Sequence, residues 1–209
     1  GNMYLARKLR GFLPASGLRL NAYVTEVRNV GDEVHVTEWD PARRTARVHR
    51  GRACIFAAPK LGAGRLVPEL EERGRLASTA LAYSPWLVAN LRVQKAPKHV
   101  APKLAWDNLV HDSWSLGFIN GHHLGHPGQD PDDAFLLTFY ACFSGATREG
   151  ARRDLLELDW DPWARLIVDE LERVLPKVRP LIEKLDIWRW GHAMVKPTPG
   201  SLWGGARDE

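Results

Sequence analysis

Residues 18–50 read LRLNAYVTEVRNVGDEVHVTEWDPARRTARVHR and are followed at 52–59 by RACIFAAP. In the first stretch, valines alternate with polar residues, which is the period of a half-buried strand. The turn dipeptides Gly-Asp and Asp-Pro divide the stretch into three runs. Residues 18–50 therefore predict a three-stranded meander. The apolar run at 52–59 has no alternation and predicts a strand buried on both faces of a parallel sheet.

The flanking sequence predicts helices and a second set of strands. One helix is expected to end at Pro14, and the leucine spacing predicts another over 60–80. A later helix is expected to have Asp161 as its N-cap and Pro162 as its first residue. Mostly antiparallel strands are predicted at 83–93, 104–110, 115–123, 135–143 and 185–195.

The composition is that of an ordinary globular protein. Of 209 residues, 44% are hydrophobic and 26% are charged. The longest apolar stretch, 135–143, is far shorter than the roughly 18 residues that a membrane span requires. Cys54 and Cys142 lie in apolar runs and are expected to be small core residues. The first residues lack the order of segments of a signal peptide, and the compartment stays open.

Four further segments carry a resemblance to a known family. They are GNMYLARKL (1–9), YSPWLVANLRV (83–93), LAWDNLVHDSWSLGFINGHH (104–123) and WRWGHAMVKPTPGSLWG (188–204). With the meander and RACIFAAP, they resemble a bacterial subgroup of the flavin-containing amine oxidoreductases, the FAD-dependent amine-oxidase-like flavoproteins. The resemblance covers nearly the whole chain. It implies an oxidoreductase that uses FAD and acts on a small molecule.

Two parts of that family's FAD site are absent from the sequence. No G-x-G-x-x-G turn occurs to place the FAD pyrophosphate at a helix N-terminus, and no flavin-covering segment follows residue 204. We therefore expect an internal fragment that catalyses nothing by itself and binds FAD weakly or not at all. The missing FAD-binding segments would be its partners.

The resemblance implies an α+β fold in two parts. Residues 1–59 are expected to form a helix, the β-meander remnant and the last strand of a truncated FAD-binding domain. Residues 60–209 are expected to form the substrate-binding domain, a mixed or antiparallel sheet flanked by helices.

The resemblance also implies positions for cofactor contacts. The backbone of Val24 would lie near the adenine of FAD, and Ala58 and Pro59 would end a strand close to the cofactor. Amine oxidases have a lysine on the strand that matches residues 83–93, where it holds a water near the flavin. Ala89 and Asn90 stand there instead, so the sequence departs from the pattern for amine oxidation, and no catalytic residue is assigned.

The nine tryptophans exceed what core filling requires, and clustered indoles often line ligand pockets. Asn90 and Trp106 are predicted to face the substrate cavity. In the alternative, Trp106 is a core residue and its neighbour Asp107 caps a turn. Trp190 and His192 share a strand face with a further indole and are predicted to line a flavin-edge pocket. An interdomain wall would have the same pattern.

Three other groups of residues are expected to be structural. The H-H-x-x-H motif at 122–126 lies at a strand end rich in glycine and proline, and no metal site is predicted there. The adjacent His-Asp-Ser at 111–113 cannot align as a hydrolytic triad, because neighbours on a strand alternate faces. The arginine-rich run 43–52 has no interleaved aromatic residue, and nucleic-acid binding is not expected.

A second class of function fits the same residues. A non-catalytic binding domain could present the tryptophan-rich face to a flat ligand or to a partner protein. In either class the apolar area around Trp190 and Trp203 is expected to be exposed, and exposed apolar area predicts self-association.

Overall fold

A computed structural model describes residues 2–70, 82–100, 104–121, 134–144, 147–199 and 203 of the chain. The chain divides into two compact units. The first comprises Gly1–Ala80 with Pro199–Glu209, and the second comprises Leu81–Thr198. The domain division at residues 59 and 60 stays a prediction. Among the described helices, none is both long and apolar enough to cross a membrane.

The first unit contains the predicted three-stranded meander. Helix α1 (Asn2–Arg10) precedes antiparallel strands β1 (Tyr23–Val30), β2 (Glu33–Asp40) and β3 (Thr45–Gly51), which pair in the order β1-β2-β3. Gly31 makes the first turn with φ 60°, a backbone conformation that glycine adopts without steric cost. At the second turn, the Asp40 carboxylate accepts hydrogen bonds from the backbone N–H groups of Ala42 and Arg43. The alternation and the turn dipeptides thus located this meander correctly.

The segment after the meander corrects three predictions. Residues 52–59 form no strand, and Ile55 is 93% exposed. An apolar run becomes a strand only where another strand offers hydrogen bonds, and neither sheet of the described chain includes this segment. Cys54 is exposed rather than part of a core. The helix predicted over 60–80 is limited to 3₁₀ turns at Lys60–Gly62 and Pro68–Leu70 and a short α2 (Ala63–Leu66), and its part beyond residue 70 lies outside the described residues.

The second unit is built on a five-stranded antiparallel sheet. Its strands are β4 (Ala82–Val93), β5 (Asp107–Asn108), β6 (Gly117–Asn120), β7 (Phe135–Cys142) and β8 (Ile182–Lys196). They pair in the order β5-β6-β7-β4-β8, with β4 hydrogen-bonded to both β7 and β8. The prediction of a mostly antiparallel sheet separate from the meander is confirmed. Strands β5 and β6 are shorter than their sequence patterns indicated.

Two helices cover one face of this sheet. They are α3 (Arg148–Glu157) and α4 (Trp160–Glu172). The apolar stripe of α4 packs into a core whose fully buried members include Leu87, Leu91, Leu137, Phe139, Ile167 and Leu171. Helix α4 begins two residues earlier than predicted, with Asp159 rather than Asp161 as its N-cap. Within the described residues of the second unit, the opposite face of the sheet therefore has no helical cover.

Candidate functional site

Strand alternation on β4 separates the two faces of the five-stranded sheet. Leu87, Ala89 and Leu91 are fully buried beneath the helices, whereas the intervening Trp86 and Asn90 point to the other side. We call this other side the open face. In register with Trp86 and Asn90, it carries side chains of β5, β6, β7 and β8.

Aromatic side chains form a row across the open face. Trp86 is in register with Trp190 of β8, and the Trp188 and Trp190 rings stack with centroids 6.2 Å apart. On the other side, Trp86 stacks on Tyr140 of β7, with centroids 6.1 Å apart and ring planes 3° from parallel. We call these four residues the aromatic row. Because Trp188 and Trp190 are each about half exposed, the row presents large apolar rings to whatever contacts the open face.

A carboxylate ends the aromatic row at the edge of the sheet. The Tyr140 hydroxyl donates a hydrogen bond of 2.6 Å to an Asp107 carboxylate oxygen, and this bond spans the intervening strand β6. Burial, together with the hydrogen bond to Asp107 and its negative charge, raises the pKa of Tyr140 to about 12. The phenol therefore stays protonated at neutral pH and remains the donor in this pair.

An amide lies beside the aromatic row. Asn90 is in register with Thr138 of β7, and the Thr138 hydroxyl donates a 2.8 Å hydrogen bond to the Asn90 side-chain oxygen. This bond orients the amide and leaves its N–H₂ group for other acceptors. Ala89 is fully buried against the helices, so Asn90 alone of this pair can contact a molecule on the open face.

Local sequence explains how the edge of the site is held. Gly117 has φ 110°, and a Cβ atom at this position would lie 2.0 Å from the Asn108 carbonyl oxygen, so only glycine allows β5 and β6 to approach this closely. The Asn108 side chain exchanges two hydrogen bonds of 2.9 Å with the backbone of Ala105. Asn108 therefore caps this turn, and the alternative that gave the capping role to Asp107 is wrong.

The predicted site residues of the second unit occupy different surroundings. Trp106 lies at the bend before β5 and is half exposed. Its neighbour Asp107 pairs with Ile119 of β6, which in turn pairs with Thr138 opposite Asn90, so Asp107 lies in register with Asn90. The His192 ring contacts Tyr83 edge-on at 6.0 Å, beyond the tryptophan pair on β8. Assignment of Asn90, Trp106, Trp190 and His192 to a substrate site stays a prediction.

Sequence reasoning did not find the contribution of β7. Tyr140 and Thr138 lie in the apolar stretch FLLTFYACF, which was predicted as a strand without a role for either residue. Their polar groups recur at every second position, and this alternation was the available signal that one face of β7 is not covered by core.

The predicted cofactor contacts in the first unit are exposed. Val24 lies on β1, and Ala58 and Pro59 lie in the non-strand segment that follows the meander. Their proximity to FAD stays a prediction.

The first unit also contains a buried carboxylate. Glu38 of β2 accepts a 2.7 Å hydrogen bond from Arg19 and lies 2.6 Å from the His49 ring nitrogen. These two partners, Arg19 foremost, hold the pKa of Glu38 below its usual range.

The groups expected to be structural have backbone or local partners where they are described. Arg173 donates hydrogen bonds to the carbonyls of His111 and Asp112, and the Ser113 hydroxyl bonds to Ser115. The arginine side chains of residues 43–52 are exposed. The H-H-x-x-H motif at 122–126 lies outside the described residues, and the residues that are described include no cluster of three metal-ligating side chains.

Comparison with known proteins identifies the fold. No family model matches the chain, and no curated protein matches it. Among solved structures, the cyclohexylamine oxidase from Brevibacterium oxydans IH-35A superposes with a TM-score of 0.63 at 12% sequence identity. The alignment covers 99% of this chain and 44% of that enzyme chain, so this chain spans less than half of the enzyme's length. At this identity the likeness shows a shared α+β architecture.

Proposed function

We propose that this chain supplies the substrate-binding domain of an FAD-dependent oxidoreductase, with a small-molecule substrate lying on the open face. The observation that carries the proposal is the asymmetry of the five-stranded sheet. Helices bury one face, while the other carries the aromatic row and oriented polar groups. Ligand sites combine apolar walls with a few fixed polar groups in this way.

The structural neighbour supports a ring-bearing substrate. The neighbour is named for the oxidation of cyclohexylamine, a compact apolar ring with one amino group. On the open face, the half-exposed indoles of Trp188 and Trp190 would form the wall against such a ring. The Asn90 amide, oriented by Thr138, would donate a hydrogen bond to the substrate or to a water beside it.

The residues of this chain do not by themselves fit FAD. The glycine-rich phosphate turn is absent from the sequence, and no strand–turn–helix unit of that type occurs in the described part of the first unit. Val24, Ala58 and Pro59 offer exposed apolar surface but no phosphate ligand. In this proposal other polypeptide holds the cofactor, and this chain alone binds the cofactor weakly and is inactive.

This chain lacks the lysine that is characteristic of amine oxidation in the family. Ala89 and Asn90 stand where the family has its lysine, and of these two only Asn90 faces outward. An amide cannot carry the positive charge of a lysine, although it can orient a water molecule. We therefore assign the reaction class as oxidoreduction and no catalytic residue.

The alternative function is a non-catalytic binding domain. The exposure of Trp188 and Trp190 supports a binding domain as strongly as it supports an oxidoreductase, because a flat ligand or a partner protein could cover the same rings. Flavin binding separates the two functions, because only the oxidoreductase requires the open face to accept a flavin ring.

The test is calorimetric titration of the purified chain with riboflavin, FAD and cyclohexylamine. We expect weak riboflavin binding, FAD binding no tighter than riboflavin binding, and cyclohexylamine binding that persists at saturating riboflavin, because hydride transfer requires substrate and flavin to be bound together. Trp188→Ala and Trp190→Ala should each weaken the binding of riboflavin and the binding of cyclohexylamine. Trp160→Ala, which removes an equally exposed indole from the start of α4, should change neither.

Other outcomes count against the proposal in defined ways. Saturable binding of cyclohexylamine with no binding of riboflavin would favour the binding domain. FAD binding a hundredfold tighter than riboflavin binding would show a phosphate site within this chain. No effect of the Trp188 and Trp190 substitutions on any ligand would refute the open face as the site.

A further inference from the structure

One charged group of the open face has no role in the proposed function. Asp107 is exposed on the edge strand β5, at the end of the aromatic row, and its carboxylate accepts the 2.6 Å hydrogen bond from Tyr140. Tyr140 in turn stacks on Trp86. A carboxylate and a series of aromatic faces are thus brought together by three strands that are distant in sequence.

Asp107 differs from the other carboxylate on this face. Asp186, in register with Asn90, is paired with the Lys184 ammonium at 2.7 Å. No basic side chain within the described residues forms an ion pair with Asp107. Its negative charge is therefore available to a ligand that lies along the row.

The hydrogen bond from Tyr140 orients the carboxylate without neutralising it. A carboxylate has about four lone-pair sites, and the phenol occupies one of them. Since Tyr140 remains a neutral donor at physiological pH, the pair carries one full negative charge. Aromatic faces also attract cations through the negative potential above the ring.

We propose that Asp107, oriented by Tyr140, is a specificity residue that selects ligands carrying a positively charged group beside an apolar ring. The cationic group would contact the Asp107 carboxylate, and the ring would lie on the aromatic row. This inference rests on the proposed function in so far as both require a ligand on the open face. To that function the inference adds that the ligand is positively charged and that Asp107 recognises this charge.

The experiment compares three probes with the same ring and different charge. Benzylammonium is a cation at neutral pH whose N–H groups can donate to a carboxylate, benzyl alcohol is neutral and benzoate is an anion. Calorimetric titration of the purified chain should give affinity in that order, with the cation about tenfold tighter than the alcohol, as expected for one charge-assisted contact. The preference should fall between 50 and 500 mM salt, because salt screens an exposed charge.

Substitutions assign the preference to one carboxylate. Asp107→Asn should lower cation affinity about tenfold, to the level of the alcohol, and leave alcohol affinity unchanged. Asp154→Asn removes one negative charge from the exposed side of α3 and should leave the affinity for all three probes unchanged. Tyr140→Phe keeps the carboxylate and should lower the cation preference by less than Asp107→Asn does, through lost orientation.

The outcomes separate this inference from the proposed function. If all three probes bind equally and Asp107→Asn changes none of them, the charge selectivity is refuted while ligand binding on the open face stands. If Asp107→Asn weakens the cation and the alcohol in parallel, Asp107 acts as a structural tether and the inference fails. If no probe binds, both proposals fail. The salt dependence of the unsubstituted chain provides a result that does not depend on the folding of any variant.

Discussion

The two sheets of this chain are stabilised in different ways. The five-stranded sheet rests on a continuous core in which Leu87, Phe139 and Leu171 are almost completely excluded from solvent. The meander has two buried hydrophobic residues in its described unit, Val27 and Ala63, and a buried carboxylate, Glu38. Three strands gain stability mainly from a hydrophobic face or from packing against a helix, and the first unit has little of either.

This difference shows where each sheet obtains its order. The five-stranded sheet can specify its own register, because a one-residue slip would move Leu87 and Leu91 from the core to the open face. In the meander, register is set by the turns and by the Arg19–Glu38–His49 cluster. The second unit should therefore be the stable part of the chain, and the first unit the part whose order depends on local and ionic interactions.

Exposed apolar surface is present in both units. Ile55 and Trp203 are almost fully exposed in the first, and Trp188 and Trp190 are half exposed in the second. Their exposure agrees with the expectation for the areas around Trp190 and Trp203. Self-association stays a prediction, to be measured by sedimentation over a range of protein concentrations.

The largest expected effect comes from the core of the second unit. Phe139→Ala should lower the free energy of unfolding by about 3–5 kcal/mol, because it leaves a cavity among fully buried side chains. Hydrogen exchange followed by mass spectrometry should show lost protection in β4 and β7. Val48→Ala, at an exposed position of β3, should change stability by less than about 0.5 kcal/mol. Equal loss of protection in the meander on Phe139→Ala would break the proposed contrast between the units.

A smaller effect should follow from the edge of the open face. Gly117→Ala requires both a positive φ and a Cβ close to the Asn108 carbonyl, and should destabilise the second unit by at least about 2 kcal/mol. Thermal unfolding measures this loss. The control is Gly62→Ala in the first unit, where nothing lies within 4 Å of the added Cβ, and its melting temperature should be unchanged. A stable Gly117→Ala protein would mean that the β5–β6 edge adjusts easily.

Acid should act mainly on the meander. The pKa of Glu38 is lowered by Arg19 and His49, so the folded first unit binds this proton less readily than the unfolded chain does. The stabilisation is present above the ordinary glutamate pKa of about 4.3 and is lost as pH falls through the lowered value. Hydrogen exchange in β2 measured between about pH 5 and pH 3 should reveal this loss, and Glu38→Gln should reduce the pH dependence. The remainder comes from Asp40, whose pKa is lowered by Arg43. Glu33→Gln, on the exposed side of the same strand, should retain the full pH dependence.

Alkali should act on the second unit, with the smallest effect. The pKa of Tyr140 is raised to about 12, so the folded state holds this proton more tightly than the unfolded chain. Its contribution is fully present below the ordinary tyrosine pKa of about 10 and is lost as pH rises toward 12. Absorbance at about 295 nm should show one late-titrating phenol that is absent in Tyr140→Phe, with Tyr23→Phe as the exposed control. A titration of Tyr140 near pH 10 would contradict the hydrogen bond to Asp107.

Much of the fold follows from the sequence alone. The period of the valines and the Gly-Asp and Asp-Pro turns predicted the meander, and the patterns at 83–93, 135–143 and 185–195 predicted three of the five strands close to their observed limits. The Asp and Pro signals at 161 and 162 predicted helix α4 to within two residues of its observed start. These features depend on neighbours within a few residues, which the sequence displays directly.

Only the tertiary structure decided the rest. The apolar run at 52–59 has the composition of a buried strand but pairs with none of the described strands. Whether a neighbouring strand is present to pair with such a run cannot be determined from the residues of the run alone. The Tyr140–Asp107 pair joins β7 to β5 across β6, and the stacking of Trp86 on Tyr140 depends on the register between β4 and β7. The sequence determined which side chains alternate along each strand. The order and register of the strands determined which of those side chains meet, because contacts across a sheet join residues that are distant in the chain.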